Sequence, residues 1–191
     1  MSEDPTEAWF ETVSRETVHR GYSTVHQDRV RMPDGSVHDR EVVEHFDAVA
    51  VVPLLDDGSV LLLKQYRHPL ERYVLEIPAG KLDQEDEDRA EAARRELREE
   101  VGYDARDLDE LVTFANSAGW NNEQTTVYLA RGLHEAEARD EFELEAEEAD
   151  MEIVRIPFDD AVAEARRGGL IDAKTVIGLL LAAERHRSGT E

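Results

Sequence analysis

The stretch RRELREEVGY, Arg94–Tyr103, sets three glutamates within five residues: Glu96, Glu99 and Glu100. On a helix these positions share one side, and like charges four residues apart repel. Turning the segment at about 100° per residue puts Ala90, Ala93, Leu97 and Val101 in one apolar stripe. Glu100 falls at the edge of that stripe, Glu96 beside it and Glu99 further round, while Arg94, Arg98 and Glu91 flank the other side. A carboxylate at the margin of a core is costly unless it is paired or metal-bound. Arg95 reaches Glu91 and Glu99 at helical spacing, whereas Glu96 and Glu100 have only each other at i,i+4. Taken singly, each glutamate reads as a solvated helix charge. Taken together, they suit an oxygen-preferring divalent cation. Mg2+ and Mn2+ take carboxylates and water, and Mg2+ is commonly held together with substrate phosphates.

The rest of the chain bounds that reading. Its 191 residues carry a formal net charge of −23, and its only lysines are Lys64, Lys81 and Lys174. Such a balance argues against nucleic-acid binding, which needs a basic patch. Abundant Asp and Glu with scarce Lys is the composition of a protein adapted to high salt, where screening reduces self-repulsion. The sequence has no cysteine, which excludes disulfides and thiolate metal sites and suits a reducing, cytoplasmic setting. The N-terminal MSEDPTEAWFETVSRE lacks the basic and apolar regions expected of a signal peptide. The apolar runs near 49–55 and 176–183 are too short to span a bilayer, so no membrane association is expected. There is no G-x-S-x-G elbow, Walker A loop or G-x-G-x-x-G loop, and nothing points to covalent catalysis.

Residues 1–8 read as a flexible tail and 9–46 as an antiparallel β segment with a turn at MPDGS (Met32–Ser36). From 47 to 188 the pattern reads as one domain. AVAVVPL, SVLLLKQYR and YVLEIPAG read as strands, followed by an acidic loop and a helix from Arg89 to Val101 with Gly102 as its stop. LVTFANS, QTTVYLARG and MEIVRIP read as further strands, with an acidic loop before the last of them. Two helices close the chain, FDDAVAEARRG and IDAKTVIGLLLAAERHR. This order predicts an α+β fold, an α/β/α sandwich.

The central stretch resembles the Nudix box, G-x5-E-x7-R-E-U-x-E-E-x-G-U, with U aliphatic. Glu87, Arg95, Glu96, Glu99, Glu100 and Gly102 stand at the required spacing. Gly80 stands one residue early, giving G-x6-E, and Tyr103 replaces the last aliphatic residue. Glu87 and Arg95 on one continuous helix would lie about 12 Å apart along its axis, so Glu87 is expected in a loop that folds back. The resemblance implies the Nudix fold with a mixed sheet. It also implies Glu96 and Glu100 as principal Mg2+ ligands (or Mn2+), Glu99, Glu87 and the Ala79 carbonyl as further ligands, and Arg95 as orienter.

Beyond the box, LLLKQYRHP, LEIPAGKLD and GGLIDAKTVIGLLLA resemble the ADP-ribose pyrophosphatase branch, which cleaves ADP-ribose to AMP and ribose 5-phosphate. GDP-mannose and other nucleoside diphosphate compounds are the alternative substrates, and a non-catalytic nucleotide-binding regulator is the alternative class. The resemblance implies a homodimer joined through the N-terminal β segment and a small nucleoside diphosphate substrate. Arg67 would contact the phosphates, a planar cation suiting a diphosphate. Glu76 would lie near the ribose or pair with a neighbouring arginine. In SAGWNNE, Gly119 and Glu123 match the branch motif, Ala118 replaces its proline, and Trp120 would stack on base or ribose. The general base is expected in the acidic loop, at Glu147 first and Glu145 second.

Overall fold

Alternate side chains of AVAVVP enter two different cores, and this sets the layers around them. The computed structural model describes residues 9–84, 87–136 and 150–188. They fall into two units: residues 9–46 with Ala115–Glu123, and the chain from Asp47 to Phe114 with that from Gln124 onward.

In the first unit β1 (Glu11–Arg20), β2 (Thr24–Arg31) and β3 (Val37–Glu44) form an antiparallel sheet in that order. The MPDGS turn joins β2 to β3 as the sequence predicts. Met32 N–H donates to the Ser36 carbonyl at 2.7 Å, and Asp34 accepts from Ser36 N–H. Ala115–Glu123 is tied to β3 by the bond from Val43 N–H to the Trp120 carbonyl, 3.0 Å, and by His45 N–H donating to Asn122 Oδ1, 3.0 Å.

The second unit holds β4 (Ala48–Pro53), β5 (Ser59–Arg67), β6 (Arg72–Glu76), β7 (Ala79–Lys81), β8 (Tyr103–Ala115), β9 (Gln124–Glu135) and β10 (Glu152–Pro157). One sheet has the order β7-β4-β9-β8, with β4 parallel to β9 and antiparallel to β7; the other is antiparallel, β10-β5-β6. Three helices accompany them: α1 (Arg89–Glu96), α2 (Phe158–Arg167) and α3 (Ala173–Ser188). Val49 and Val51 of β4, Leu61 and Leu63 of β5, and Tyr128 and Ala130 of β9 pack with Ala92, Ala93, Leu97 and Val101. Their neighbours Ala50, Val52, Val60, Leu62, Val127 and Leu129 pack with Phe158, Ala161, Leu179 and Ala182. The unit is an α/β/α sandwich. Burial on both faces explains why β4 reads as a continuous apolar run and not an alternating one.

Element boundaries differ from the sequence reading chiefly at three places. β8 starts at Tyr103, not at Leu111, because Ala105 and Leu108 pack into the core between charged neighbours and leave only a faint alternation. YVLEIPAG divides at Ile77-Pro78 into β6 and β7. The predicted helix Arg89–Val101 is α-helical only to Glu96 and continues as a π-turn over Leu97–Val101, a local widening that recurs at functional sites. Gly102 ends it in the left-handed region at φ 77°, as expected of a helix stop. Leu97, at the junction, is fully buried. Leu97→Ala is expected to cost about 2–5 kcal/mol of stability, read from the urea unfolding midpoint.

Candidate active site

Arg95 is the hub of the RRELREEVGY segment. Its Nε donates to Glu87 Oε1 at 3.0 Å and its Nη2 to Glu87 Oε2 at 3.2 Å. Its Nη1 donates to Glu96 Oε1 at 2.6 Å and to Glu99 Oε2 at 3.0 Å. Asp88 caps α1 through Ala90 N–H, so Glu87 sits in the preceding loop and reaches back to Arg95, as the spacing requires. The contact to Glu99 is the expected i,i+4 pair. The contact to Glu96 is one helical spacing did not anticipate, since adjacent helix residues point about 100° apart. A long guanidinium bridges that angle. Burial alone would lower the pKa of Arg95, but Glu87, Glu96 and Glu99 outweigh it and hold the group firmly charged.

Glu96 is buried. Burial pushes its carboxyl up to about 7; Arg95 opposes the rise and Glu99 adds to it. A Cβ on Gly80 would land on the Glu96 carboxylate, so a side chain there would displace that carboxylate from its present position. The extra residue between Gly80 and Glu87 therefore leaves Gly80 against the box. Glu100 Oε2 accepts from Ala79 N–H at 2.8 Å, which ties the π-turn to the same strand. Ala79, Glu87, Glu96, Glu99 and Glu100 thus lie around β7 and the first helix.

Among the described residues no three acidic or histidine side chains form a ready-made metal cage. The donor set nonetheless suits a hard divalent cation. Three carboxylates share the one guanidinium of Arg95, and one of them, Glu96, is desolvated against the Gly80 backbone.

A second cluster lies at the C-terminal end of β5. Arg67 meets Glu76 bidentately, Nε to Oε1 at 2.6 Å and Nη2 to Oε2 at 2.7 Å. Glu76 is buried, and burial would raise its pKa; Arg67 and Lys174 together pull it below the ordinary carboxylate range. Of the two roles expected for Glu76, pairing with a neighbouring arginine is the one observed. Sequence reading missed Lys174, Asp172 and Thr175. The signal was the D-x-x-T pattern before an apolar helix, which marks an N-cap. A cavity of about 350 Å³ opens between Arg67, Leu70, Glu76, Ile171 and Lys174.

The other predicted substrate residues belong to the first unit. Trp120 is exposed and its Nε1 donates to Glu41 at 3.2 Å; Glu123 lies 3.9 Å from His45 Nδ1; Gly119 is exposed. Glu145 and Glu147, the expected bases, lie outside the described residues.

The sequence matches the Nudix domain over residues 44–176. The chain belongs to the Nudix family and is a Nudix hydrolase. It is 42% identical over 172 residues to the ADP-ribose pyrophosphatase of Mycobacterium tuberculosis, covering 90% of this chain and 82% of that one. It is 35% identical over 157 residues to a methanol dehydrogenase activator of Bacillus methanolicus, 80% of each chain. The crystal structure of an ADP compounds hydrolase matches with a TM-score of 0.80 at 26% identity, covering 94% of this chain and 95% of that one. The α+β sandwich described above is the Nudix fold. Among the described residues no helix is long and apolar enough to cross a membrane.

The raised pKa of Glu96 carries a definite sign. In the metal-free protein the folded state keeps that proton up to about 7, while an unfolded glutamate loses it near 4.5. Between those values folding binds the proton, so this group's contribution to stability falls as pH rises. Glu96→Gln in EDTA is expected to be more stable than wild type by roughly 2–3 kcal/mol at pH 8, with the difference vanishing toward pH 4.5, measured by urea denaturation across pH.

Proposed function

We propose that the chain hydrolyses ADP-ribose to AMP and ribose 5-phosphate with Mg2+, or Mn2+ in its place. The observation that carries the chemistry is the desolvated Glu96 carboxylate, crowded with Glu87 and Glu99 on one guanidinium beside Gly80. The substrate assignment is supported by the likeness to the mycobacterial ADP-ribose pyrophosphatase over most of both chains.

Glu96 and Glu100 are the principal ligands in this reading, with Glu99, Glu87 and the Ala79 carbonyl as further donors. A divalent cation bound there neutralises phosphate oxygens and lowers the pKa of water. Arg95 keeps the carboxylates from drifting apart when the site is empty. Arg67 holds the diphosphate, its charge maintained by Glu76 and favoured further by Glu100. A glutamate of the acidic loop, Glu147 first and Glu145 second, takes the proton of the attacking water. Water adds across the P–O–P link: one phosphorus gains the hydroxyl oxygen and the other phosphate leaves with its bridging oxygen. Gly119, Trp120 and Glu123 contact the nucleoside or ribose.

The reaction reading is tested by incubating purified protein and Mg2+ with ADP-ribose, GDP-mannose and dinucleoside polyphosphates and separating the products. ADP-ribose is expected to be turned over with the highest kcat/KM, and Glu100→Gln to lower kcat at least roughly a hundredfold. Preference for GDP-mannose would overturn the substrate; full activity in Glu100→Gln would overturn the ligand set.

The homodimer is a second element of the proposal. Trp9, Phe10, Val13, Val18 and Tyr22 of the N-terminal segment are all exposed, more large apolar surface than a three-stranded sheet leaves to water without a partner. The cysteine-free sequence suits the cytoplasm, and the net charge of −23 suits high salt. Sedimentation is expected to find a dimer at 2 M KCl and a shift toward monomer in Val18→Glu; a wild-type monomer there would refute the dimer.

A further inference from the structure

The segment DAKT, Asp172–Thr175, brings the start of α3 to the buried Glu76. Asp172 Oδ2 accepts from Thr175 N–H at 2.9 Å and from Thr175 Oγ1 at 2.6 Å, which caps the helix. The Thr175 hydroxyl, fully buried, also accepts from Ile77 N–H at 2.8 Å, so the first turn of α3 is pinned to the link after β6. Lys174 stands on that pinned turn. Its Nζ donates to Asp172 Oδ1 at 2.9 Å and to Glu76 Oε2. Glu76 in turn takes both remaining bonds from Arg67. The result is an unbroken chain of alternating charge, Arg67–Glu76–Lys174–Asp172, running from the capped helix along the wall of the cavity to Arg67.

We infer that Lys174 is a positioning residue for substrate binding: through Glu76 it sets the orientation and the effective charge of the Arg67 guanidinium. The inference rests on the reading that Arg67 holds the diphosphate.

Two physical arguments support it. The first is charge. An arginine facing a buried glutamate alone forms a neutral pair that presents little field to an anionic ligand. Lys174 supplies the second cation on Glu76, and its own counter-charge, Asp172, is engaged by the N-terminal turn of α3 where a negative charge is favoured. Arg67 therefore keeps positive character toward the cavity. Its side chain is 42% exposed, and the bidentate contact to Glu76 uses only Nε and Nη2. The second is geometry. Three donors on one carboxylate fix its plane, and a bidentate guanidinium must copy that plane. Without Lys174 only the Arg67 fork holds Glu76, and the pair can swing together.

The test is binding of ADP-ribose in EDTA by calorimetry, with Arg67→Gln, Lys174→Met, Lys174→Arg and the double variant Arg67→Gln/Lys174→Met. Methionine keeps the apolar stem and removes the charge. Lys174→Met is expected to weaken Kd about tenfold, equivalent to about 1.4 kcal/mol, and Lys174→Arg to restore it within about threefold. The double variant is expected to bind no more weakly than Arg67→Gln alone, because the lysine acts through the arginine. Losses that multiply in the double variant would show Lys174 acting on the ligand by itself and overturn the inference. So would unchanged Kd in Lys174→Met with only a lowered unfolding midpoint. Turnover measured alongside separates the two readings. A wild type with this binding pattern that fails to hydrolyse ADP-ribose refutes the proposed reaction and leaves the positioning role standing. A wild type that neither binds ADP-ribose in EDTA nor hydrolyses it with Mg2+ refutes both.

Discussion

One guanidinium holding three carboxylates is the constraint on which the candidate site depends. Arg95 draws Glu87 out of the loop, Glu96 from the adjacent position and Glu99 from the next turn. Three carboxyl groups crowd one positive charge, and burial together with Glu99 holds the Glu96 proton up to about 7. The surrounding structure follows from accommodating it. The Glu96 carboxylate occupies the space a Cβ at Gly80 would take, and Glu100 is anchored by the Ala79 amide of the same strand. The helix widens into a π-turn where the second half of the cluster must be presented while Leu97 and Val101 stay in the core.

The sandwich supplies the rigidity this crowding requires. β4 is buried on both faces, with α1 on one side and α2 and α3 on the other. Side chains one residue apart along the strand therefore belong to different cores, and a shift of register would disturb both. The box helix is held by Ala92, Ala93 and Leu97 against that strand, so its polar edge is fixed by the packing of its apolar edge.

At the second cluster the opposite arrangement holds. Arg67, Glu76, Lys174 and Asp172 alternate in sign and sum to no net charge, and each member but Arg67 is largely enclosed. A balanced chain can be buried where an unbalanced cluster calls for a cation. The two clusters thus present different demands to a ligand: carboxylates in excess at the box, and a supported arginine at the end of β5. A nucleoside diphosphate compound carried with a divalent cation satisfies both.

Much was legible from local pattern. The box glutamates, Arg95 and the stop at Gly102 stand at spacings only a helix with a preceding loop makes sense of. The β2–β3 turn and the doubly buried β4 follow from residue type and period. What local pattern could not decide is which groups distant in sequence meet. Gly80 against Glu96, Ala79 against Glu100, and Lys174 against Glu76 each join segments from 16 to 98 residues apart. The start of β8 was obscured for a related reason, since a strand with mixed charge is recognised by what it packs against. The sequence alone determined the chemistry available, because ligand type and helical spacing are local properties. Tertiary structure alone decided which carboxylate is desolvated, which arginine is supported and which glycine lies against a carboxylate, because burial and close approach exist only once distant segments are packed together.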